Sequence, residues 1–147
     1  GLGDVYKRQL QNMGTPDYLI SAACQLVVAQ RLARKNCKDC KVPDDDVTPK
    51  VLQDLGFTAE VASRVKAIKG KGCPKCKDTG YKGRQGIYEI LSVSKPLKEA
   101  ILRQATTPEL REIAVKEGFQ TMQDMGRRLI ASGELNFREF ERVLSEV

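Results

Sequence analysis

Two cysteine pairs constrain this chain more than any other feature. Cys37-x-x-Cys40 and Cys73-x-x-Cys76 each place two thiols on one tight turn, and residues 41–72 separate the pairs. Two such pairs together supply the four sulfurs of a tetrahedral zinc site. Because the sequence contains no histidine, four thiolates are the only complete zinc set that it offers without carboxylates. We therefore predict that Cys37, Cys40, Cys73 and Cys76 bind one Zn²⁺.

The predicted metal is structural, because a closed four-thiolate site leaves no open position for a substrate. Closing the loop between the pairs costs about 3 kcal/mol of chain entropy. Structural zinc binding is worth roughly 10–16 kcal/mol in finger peptides and outweighs that cost. Two alternatives are a pair of disulfides and a redox-active C-x-x-C, which usually accompanies a βαβ pattern that this sequence lacks.

The basic residues gather around the cysteines. The net charge is +6, and four thiolates with Zn²⁺ would add −2, which leaves about +4. Lysines near the cysteines favour the thiolate form and offset the charge of the centre. They are Lys35, Lys38, Lys41, Lys71, Lys75 and Lys77. A patch for nucleic acid is the competing interpretation, and the scarcity of aromatic residues beside these lysines disfavours it.

The composition indicates a cytosolic protein with modest cores. Of the 147 residues, 41% are apolar and 5% aromatic, which suits one domain or two small ones. No stretch approaches 18 apolar residues, and no signal-peptide pattern is visible. Unpaired thiols fit a reducing compartment. Cys24, in the apolar stretch Leu19–Val28, is predicted to be a small core residue.

The first half of the chain shows one helix, one strand and two short helices. The pattern predicts a helix over Pro16–Leu26 and a strand over Val28–Lys35. Thr48-Pro49 begins a short helix that stops at Gly56, and Thr58 caps another with Ala62, Val65 and Ile68 on its apolar side.

The second half begins with a strand and continues with helices. Gly80, Gly83 and Gly86 predict a hairpin-like turn. The strand that follows, over Ile87–Val93, is predicted to pair with Val28–Lys35. Four helix starts then follow at Ser94, Thr107-Pro108, Thr121 and Asn136, and Asn136 with Glu139 resembles a capping box.

Several catalytic signatures are missing from this sequence. It contains no G-x-x-x-x-G-K-[ST] phosphate loop, no G-x-S-x-G and no histidine to serve as a general base. Composition and spacing therefore support a zinc-stabilised cytosolic module of the α+β class.

Three stretches resemble the C-terminal part of the type II secretion and type IV pilus assembly ATPases. They are QRLARKNCKDC (Gln30–Cys40), KGKGCPKCKDTGYKGRQGIYEIL (Lys69–Leu91) and ATTPELREIAVKEGFQTMQDMG (Ala105–Gly126). The segment NMGTPDYLISAACQLVVAQRL is similar to the stretch after that family's histidine box. The resemblance covers about residues 10–147. The stretches KGKGC and TGYKGR are closer to the pilus branch than to the secretion branch. Met125 departs from it, because an acidic residue is common at that position.

The resemblance implies a fold, a function and a set of partners. It implies the end of a RecA-like ATPase core, a tetracysteine zinc module with a short hairpin or sheet, and a C-terminal helical bundle. The parent protein would be a hexamer that uses ATP and Mg²⁺ to drive pilus assembly or secretion. It would work in the cytoplasm, at the inner membrane, on a platform protein. No nucleic-acid partner is expected.

The resemblance also implies a division of the chain. Residues 1–9 are an unplaced lead that we expect to be foreign, and residues 10–36 end the ATPase core. Residues 37–92 form the zinc module with its return strand, and residues 93–147 form a subdomain of four helices. The family's phosphate loop, acidic boxes and histidine box would all precede residue 10. We therefore expect a C-terminal fragment that hydrolyses no ATP by itself.

Two arginines are candidates for the nucleotide cleft or the subunit interface. Arg84 lies between Gly83 and Gly86, and Arg31 lies in the strand predicted to pair with the strand at Ile87. A guanidinium suits phosphate or carboxylate, and the resemblance places this region near the cleft. The alternative is that both are surface arginines, or that Arg84 pairs with Glu89.

Two other functional classes stay open at this point. One is a stand-alone zinc ribbon that binds nucleic acid or another partner. The other is a chaperone cysteine-rich module, which CPKCKDTG suggests. That module needs several repeats with glycine in place of Asp78, and only one copy occurs here.

Overall fold

The computed structural model describes residues 26–144 of the chain. The strands are β1 (Leu26–Asn36), β2 (Lys41–Pro43), β3 (Ile68–Gly70) and β4 (Tyr81–Ser92). The helices are α1 (Pro49–Asp54), α2 (Ala59–Arg64), α3 (Lys95–Leu102), α4 (Thr107–Lys116), α5 (Met122–Ala131) and α6 (Phe137–Leu144), with a 3-10 turn at Pro74–Cys76. This mixture of helices and small sheets agrees with the α+β class. No helix within residues 26–144 is long and apolar enough to cross a membrane.

Strands β1 and β4 pair in a two-stranded sheet, which confirms the predicted pairing. The predicted helix Pro16–Leu26 lies outside the described residues except for Leu26, which begins β1. Cys24 and residues 1–9 lie outside them as well. The predicted turn at Gly83 and Gly86 is wrong, because residues 81–92 form one continuous strand. Gly83 has a φ of +86° within that strand, a conformation that glycine adopts without steric cost.

A second sheet joins the two ends of the loop that the cysteines enclose. Strands β2 and β3 pair antiparallel, with Val42 opposite Lys69 and Pro43 opposite Ile68. The sequence did not predict these strands, and the assignment of Ile68 to a helix is wrong. Helix α2 ends at Arg64, and Val65 is already extended. Three-residue strands are too short to show an alternating pattern of their own.

Polar caps begin the short helices where the sequence predicted them. The hydroxyl of Thr48 accepts from the N–H of Val51, and that of Thr58 accepts from Val61. Ser94 caps α3 in the same way. The cap of α4 is Thr106, one residue before the predicted start. Each cap satisfies an N–H group that has no partner within its helix.

The described residues divide into two compact units. One unit contains residues 26–30 and Tyr88–Thr121. Its core joins the end of β4 to α3 and α4, with Leu97 and Leu110 among the buried side chains. The other unit contains Arg31–Ile87 and residues 122–144. Helices α3 and α4 thus belong to one unit, and α5 and α6 belong to the other.

Helices α5 and α6 approach closely in the second unit. A Cβ built on Gly126 would lie 2.6 Å from Phe140 Cε2 and 2.6 Å from Leu144 Cδ1. The side chains of Phe140, Val143 and Leu144 are buried, and their spacing places them on one face of α6. This helical hairpin shares its unit with all four cysteines of the two pairs.

Candidate metal centre

The four cysteines of the two pairs meet at one point. Their sulfur atoms all lie within 4.8 Å of one another. The Sγ···Sγ distances are 3.8 Å for Cys37–Cys73, 3.8 Å for Cys40–Cys76 and 3.7 Å for Cys73–Cys76. A regular tetrahedron with metal–sulfur distances of about 2.3 Å has an edge of about 3.8 Å. The thiols are therefore spaced as a tetrahedral metal site requires.

The same distances exclude disulfides among these four residues. A disulfide needs about 2.05 Å between its sulfurs, and all four cysteines are free. Cys37 and Cys76 are buried, and the other two are half-buried. A donor set of four thiolates suits Zn²⁺, which prefers tetrahedral sulfur sites. The residues present fit that metal.

Each cysteine pair with its tight turn is here called a knuckle. Backbone contacts between the two knuckles set the positions of the sulfurs. The N–H of Cys37 donates to Gly80 O at 2.9 Å, and the N–H of Lys71 donates to Cys40 O at 2.9 Å. The backbones touch directly at Gly70 and Gly80. A Cβ on Gly70 would lie 1.9 Å from Gly80 O, and a Cβ on Gly80 would lie 2.5 Å from Gly70 O. Only glycine permits this approach.

Backbone N–H groups also donate to the sulfurs. Gly72 donates to Cys40 Sγ at 3.3 Å, while Cys73 and Gly80 each donate to Cys76 Sγ at 3.2 Å. Burial raises the pKa of Cys40 to about 12, against the single N–H of Gly72. Burial acts in the same direction on Cys76, but its two N–H donors prevail and lower its pKa to about 6. Donors of this kind stabilise thiolates, which are the metal-binding form.

The lysines near the site face solvent. Lys38, Lys41, Lys71 and Lys77 are exposed. Lys75 Nζ lies 3.5 Å from Asp39 Oδ1, and both side chains are substantially exposed. An exposed ion pair of this kind contributes little stability. The charges of these lysines thus lie in solvent.

The two candidate arginines differ in their surroundings. Arg31 is half-buried, and its Nη1 donates to the carbonyl oxygen of Val143 at 2.6 Å, at the C-terminal end of α6. Arg84 lies exposed in β4, and within residues 26–144 no hydrogen bond or ion pair is seen for its side chain. The two residues lie on the paired strands β1 and β4, and their roles in a cleft or interface stay predictions.

Sequence reasoning missed a buried carboxylate beside this region. The side chain of Glu139 is fully buried. Its Oε1 accepts from the N–H of Arg34 at 2.9 Å, and its Oε2 accepts from Arg34 Nη2 at 2.9 Å and from Arg142 Nε at 3.1 Å. The guanidinium of Arg34 lies 4.1 Å from the ring centroid of Tyr81. A strongly held ion cluster therefore joins β1 to α6.

Half of the predicted capping box is formed at the start of α6. Asn136 Oδ1 accepts from the N–H of Glu139 at 2.8 Å, as predicted. The carboxylate turns instead to Arg34 and Arg142. The sequence carried a signal of this burial, because Glu139 lies four residues before Val143 and therefore falls on the apolar face of α6. Burial raises the pKa of Glu139, but the two guanidinium groups and the N–H of Arg34 together lower it to about 2.

Comparisons with known proteins identify the family. The family model described as "Type II/IV secretion system protein" matches residues 4–142. The type IV pilus assembly ATPase PilB of Myxococcus xanthus is 34% identical over 89% of this chain and 23% of its own length. The corresponding protein of Thermus thermophilus is 38% identical over 80% of this chain and 13% of its own length. The type II secretion system ATPase E of Vibrio cholerae is 34% identical over 81% of this chain and 26% of its own length.

These matches confirm the resemblance, and the matched range 4–142 includes both cysteine pairs. The chain spans about a quarter or less of the length of these relatives. Their names divide between pilus assembly and secretion, and none favours a nucleic-acid-binding ribbon. The chain belongs to the type II/IV secretion system protein family.

Proposed function

We propose that the four cysteines hold one structural Zn²⁺. The spacing of the sulfurs supports this, because 3.7–3.8 Å is the edge of a tetrahedron around that ion. The N–H groups of Gly72, Cys73 and Gly80 would orient the thiolates and spread their charge. All four ligands come from the protein, so the metal would organise the fold rather than act on a substrate.

The chain itself would serve as the zinc-binding and helical part of a hexameric ATPase. That ATPase would power type IV pilus assembly or type II secretion in the cytoplasm, at the inner membrane, against a platform protein. The observation that carries this proposal is the match to ATPases with those names over most of the chain. ATP and Mg²⁺ would bind to parts of the complete protein that carry a phosphate loop.

The predicted division of the chain belongs to the same proposal. Residues 10–36 would end the ATPase core, residues 37–92 would form the zinc module, and residues 93–147 would follow as the helical part. Arg84 is exposed and has a planar fork suited to an acidic or phosphate group. We propose it as the better of the two candidates for an interface or nucleotide contact, because Arg31 already donates to Val143.

The test is made on the complete gene product. The reading frame that continues into this chain should encode a phosphate loop and a histidine box. The purified product should form hexamers and hydrolyse ATP, and Arg84→Ala should impair one or both without a change in thermal stability. Lys82→Ala, two residues earlier on the same strand, is the control. A frame without those motifs would refute the ATPase assignment, and normal assembly and turnover of Arg84→Ala would refute the role of Arg84.

A further inference from the structure

The turn between α5 and α6 is hydrogen-bonded to the residue that precedes the first metal ligand. The N–H of Asn36 donates to Glu134 O at 2.9 Å. The side-chain Nδ2 of Asn36 donates to Gly133 O at 3.0 Å and to Ile68 O at 3.1 Å. Asn36 is 2% exposed. One buried amide thus joins three segments: the end of β1 at Cys37, strand β3 and the α5–α6 turn.

The orientation of this amide is determined by its partners. Both acceptors of Nδ2 are backbone carbonyls, so a flipped amide would place Oδ1 against two oxygens. In the present orientation Oδ1 is buried and has no partner within residues 26–144. An unpaired buried acceptor costs about 1–3 kcal/mol. Asn36 therefore leaves its Oδ1 unpaired, at a cost in stability, while its Nδ2 makes two hydrogen bonds.

A second contact links the start of α6 to the other cysteine pair. Asn136 Nδ2 donates to the hydroxyl of Tyr81 at 2.9 Å. Tyr81 follows Gly80, whose carbonyl accepts from the N–H of Cys37 and whose N–H donates to Cys76 Sγ. The α5–α6 turn is thus connected to a ligand of each pair, through Asn36 to Cys37 and through Tyr81 and Gly80 to Cys76.

Packing and charge reinforce these contacts. A Cβ on Gly133, whose φ is +81°, would lie 3.5 Å from Ile68 Cγ1, so this turn lies directly against β3. Farther along, Glu139 of α6 holds the N–H and guanidinium of Arg34, three residues before Cys37. These segments are far apart in the chain, since 97 positions separate Asn36 from Gly133.

We propose that Asn36 is a positioning residue that couples the metal centre to helix α6. The metal would order the α5–α6 turn and α6 as well as the loop that the cysteines enclose. The inference rests on the proposed zinc site. Coupling of this kind is reciprocal, because a contact that holds Cys37 in its metal-bound position raises metal affinity, and the bound metal stabilises the contact.

The first test measures Zn²⁺ affinity in the full 147-residue chain by competition with a chromophoric chelator. Asn36→Ala should weaken affinity about 10- to 100-fold, the range for partners that orient metal ligands. Thr48→Ala is the control, because it removes a helix cap at a cost of about 1 kcal/mol. Its hydroxyl caps α1 within the same unit and contacts no metal ligand. Tyr81→Phe removes one hydroxyl and should weaken affinity about two- to tenfold.

These variants separate coupling from general destabilisation. If Asn36→Ala does not fold, Tyr81→Phe carries the test, because it keeps the ring that packs on Arg34. Affinities of Asn36→Ala and Tyr81→Phe within twofold of Thr48→Ala would overturn the inference while leaving the zinc site intact. If the unaltered chain binds no Zn²⁺, the proposed metal site fails and the inference fails with it.

The second test follows hydrogen exchange before and after a chelator removes the metal. Amides of α6 (Phe137–Leu144) should exchange at least tenfold faster without metal, together with those of β2 and β3. Amides of α4 (Thr107–Lys116), in the other unit, should keep their rates. Unchanged protection in α6 would overturn the inference. Equal loss of protection in α4 and α6 would also overturn the inference, because the metal would then stabilise both units without a specific link to α6.

Discussion

Replacement of the buried carboxylate by an amide should expose the energetic role of the Glu139 cluster. Glu139→Gln keeps the shape of the side chain and removes its charge. The guanidinium groups of Arg34 and Arg142 would then face a neutral amide whose NH₂ cannot accept their hydrogen bonds. The side chain of Glu139 is 0% exposed, whereas those of Arg34 and Arg142 are 49% and 55% exposed. The arginines can therefore regain water, and the loss should be moderate.

The lowered pKa of Glu139 gives the scale of that loss. Burial raises the pKa, but the hydrogen bonds from Arg142 and Arg34 lower it from the usual 4.5 to about 2. At 1.36 kcal/mol for each pH unit, this difference corresponds to about 3 kcal/mol at neutral pH. Both partners are half-exposed, and screening by solvent reduces the figure to about 1–2 kcal/mol. We expect the free energy of unfolding to fall by that amount.

The assay is urea unfolding at pH 7 with Zn²⁺ held in excess, so that metal occupancy is the same in every sample. Glu141→Gln is the matched control, because Glu141 lies on the same helix and is exposed. It should change the free energy of unfolding by less than about 0.5 kcal/mol. A loss for Glu139→Gln no larger than that of the control would show that the cluster contributes no net stability, and the reasoning from burial and pairing would be refuted.

Four further outcomes are expected. The pKa of Glu139 is lower in the folded chain than in the unfolded chain, so its stabilisation is present above about pH 4.5 and is lost as the pH falls toward 2. The free energies of unfolding of the unaltered chain and of Glu139→Gln should therefore converge as the pH approaches 2. Cys37→Ser should reduce bound zinc well below one ion per chain by metal analysis and disorder residues 36–77, and full occupancy would contradict it. Gly126→Ala should overpack Phe140 at a cost of about 1–3 kcal/mol, offset by about 1 kcal/mol of helix propensity, which calorimetry would register as a lower Tm. Arg31→Ala should lower stability by about 1 kcal/mol in urea, because Arg31 donates to the last turn of α6, and no change would show that contact to be dispensable.

Local chemistry made part of this molecule predictable. The knuckle spacing identifies the four cysteines, because two residues between thiols place both on one turn. Thr48, Thr58 and Ser94 cap helices for a similarly local reason, since each hydroxyl reaches an N–H three residues later. The pairing of β1 with β4 also followed from composition, because both runs are rich in strand-forming residues.

The features that the sequence did not reveal depend on distant partners. Strands β2 and β3 are three residues long, and Ile68 continues the apolar spacing of the preceding helix, so local patterning favoured the wrong element. One partner of Glu139, Arg34, is 105 positions away. Asn36 likewise resembles any other polar residue until β3 and Gly133 are placed beside it. Such contacts arise from topology, which a single sequence specifies only indirectly.

The contact between Gly70 and Gly80 limits how the metal centre could be redesigned. A cysteine ligand could be exchanged for histidine, because a longer side chain can reach a shifted metal through a different rotamer. No rotamer relieves a Cβ that would lie 1.9 Å or 2.5 Å from a carbonyl oxygen of the opposite backbone. In a saturation library selected for metal retention, residues 70 and 80 should therefore tolerate fewer replacements than the ligands themselves. The identity of the metal could then be altered more readily than the crossing of the two backbone segments that hold it.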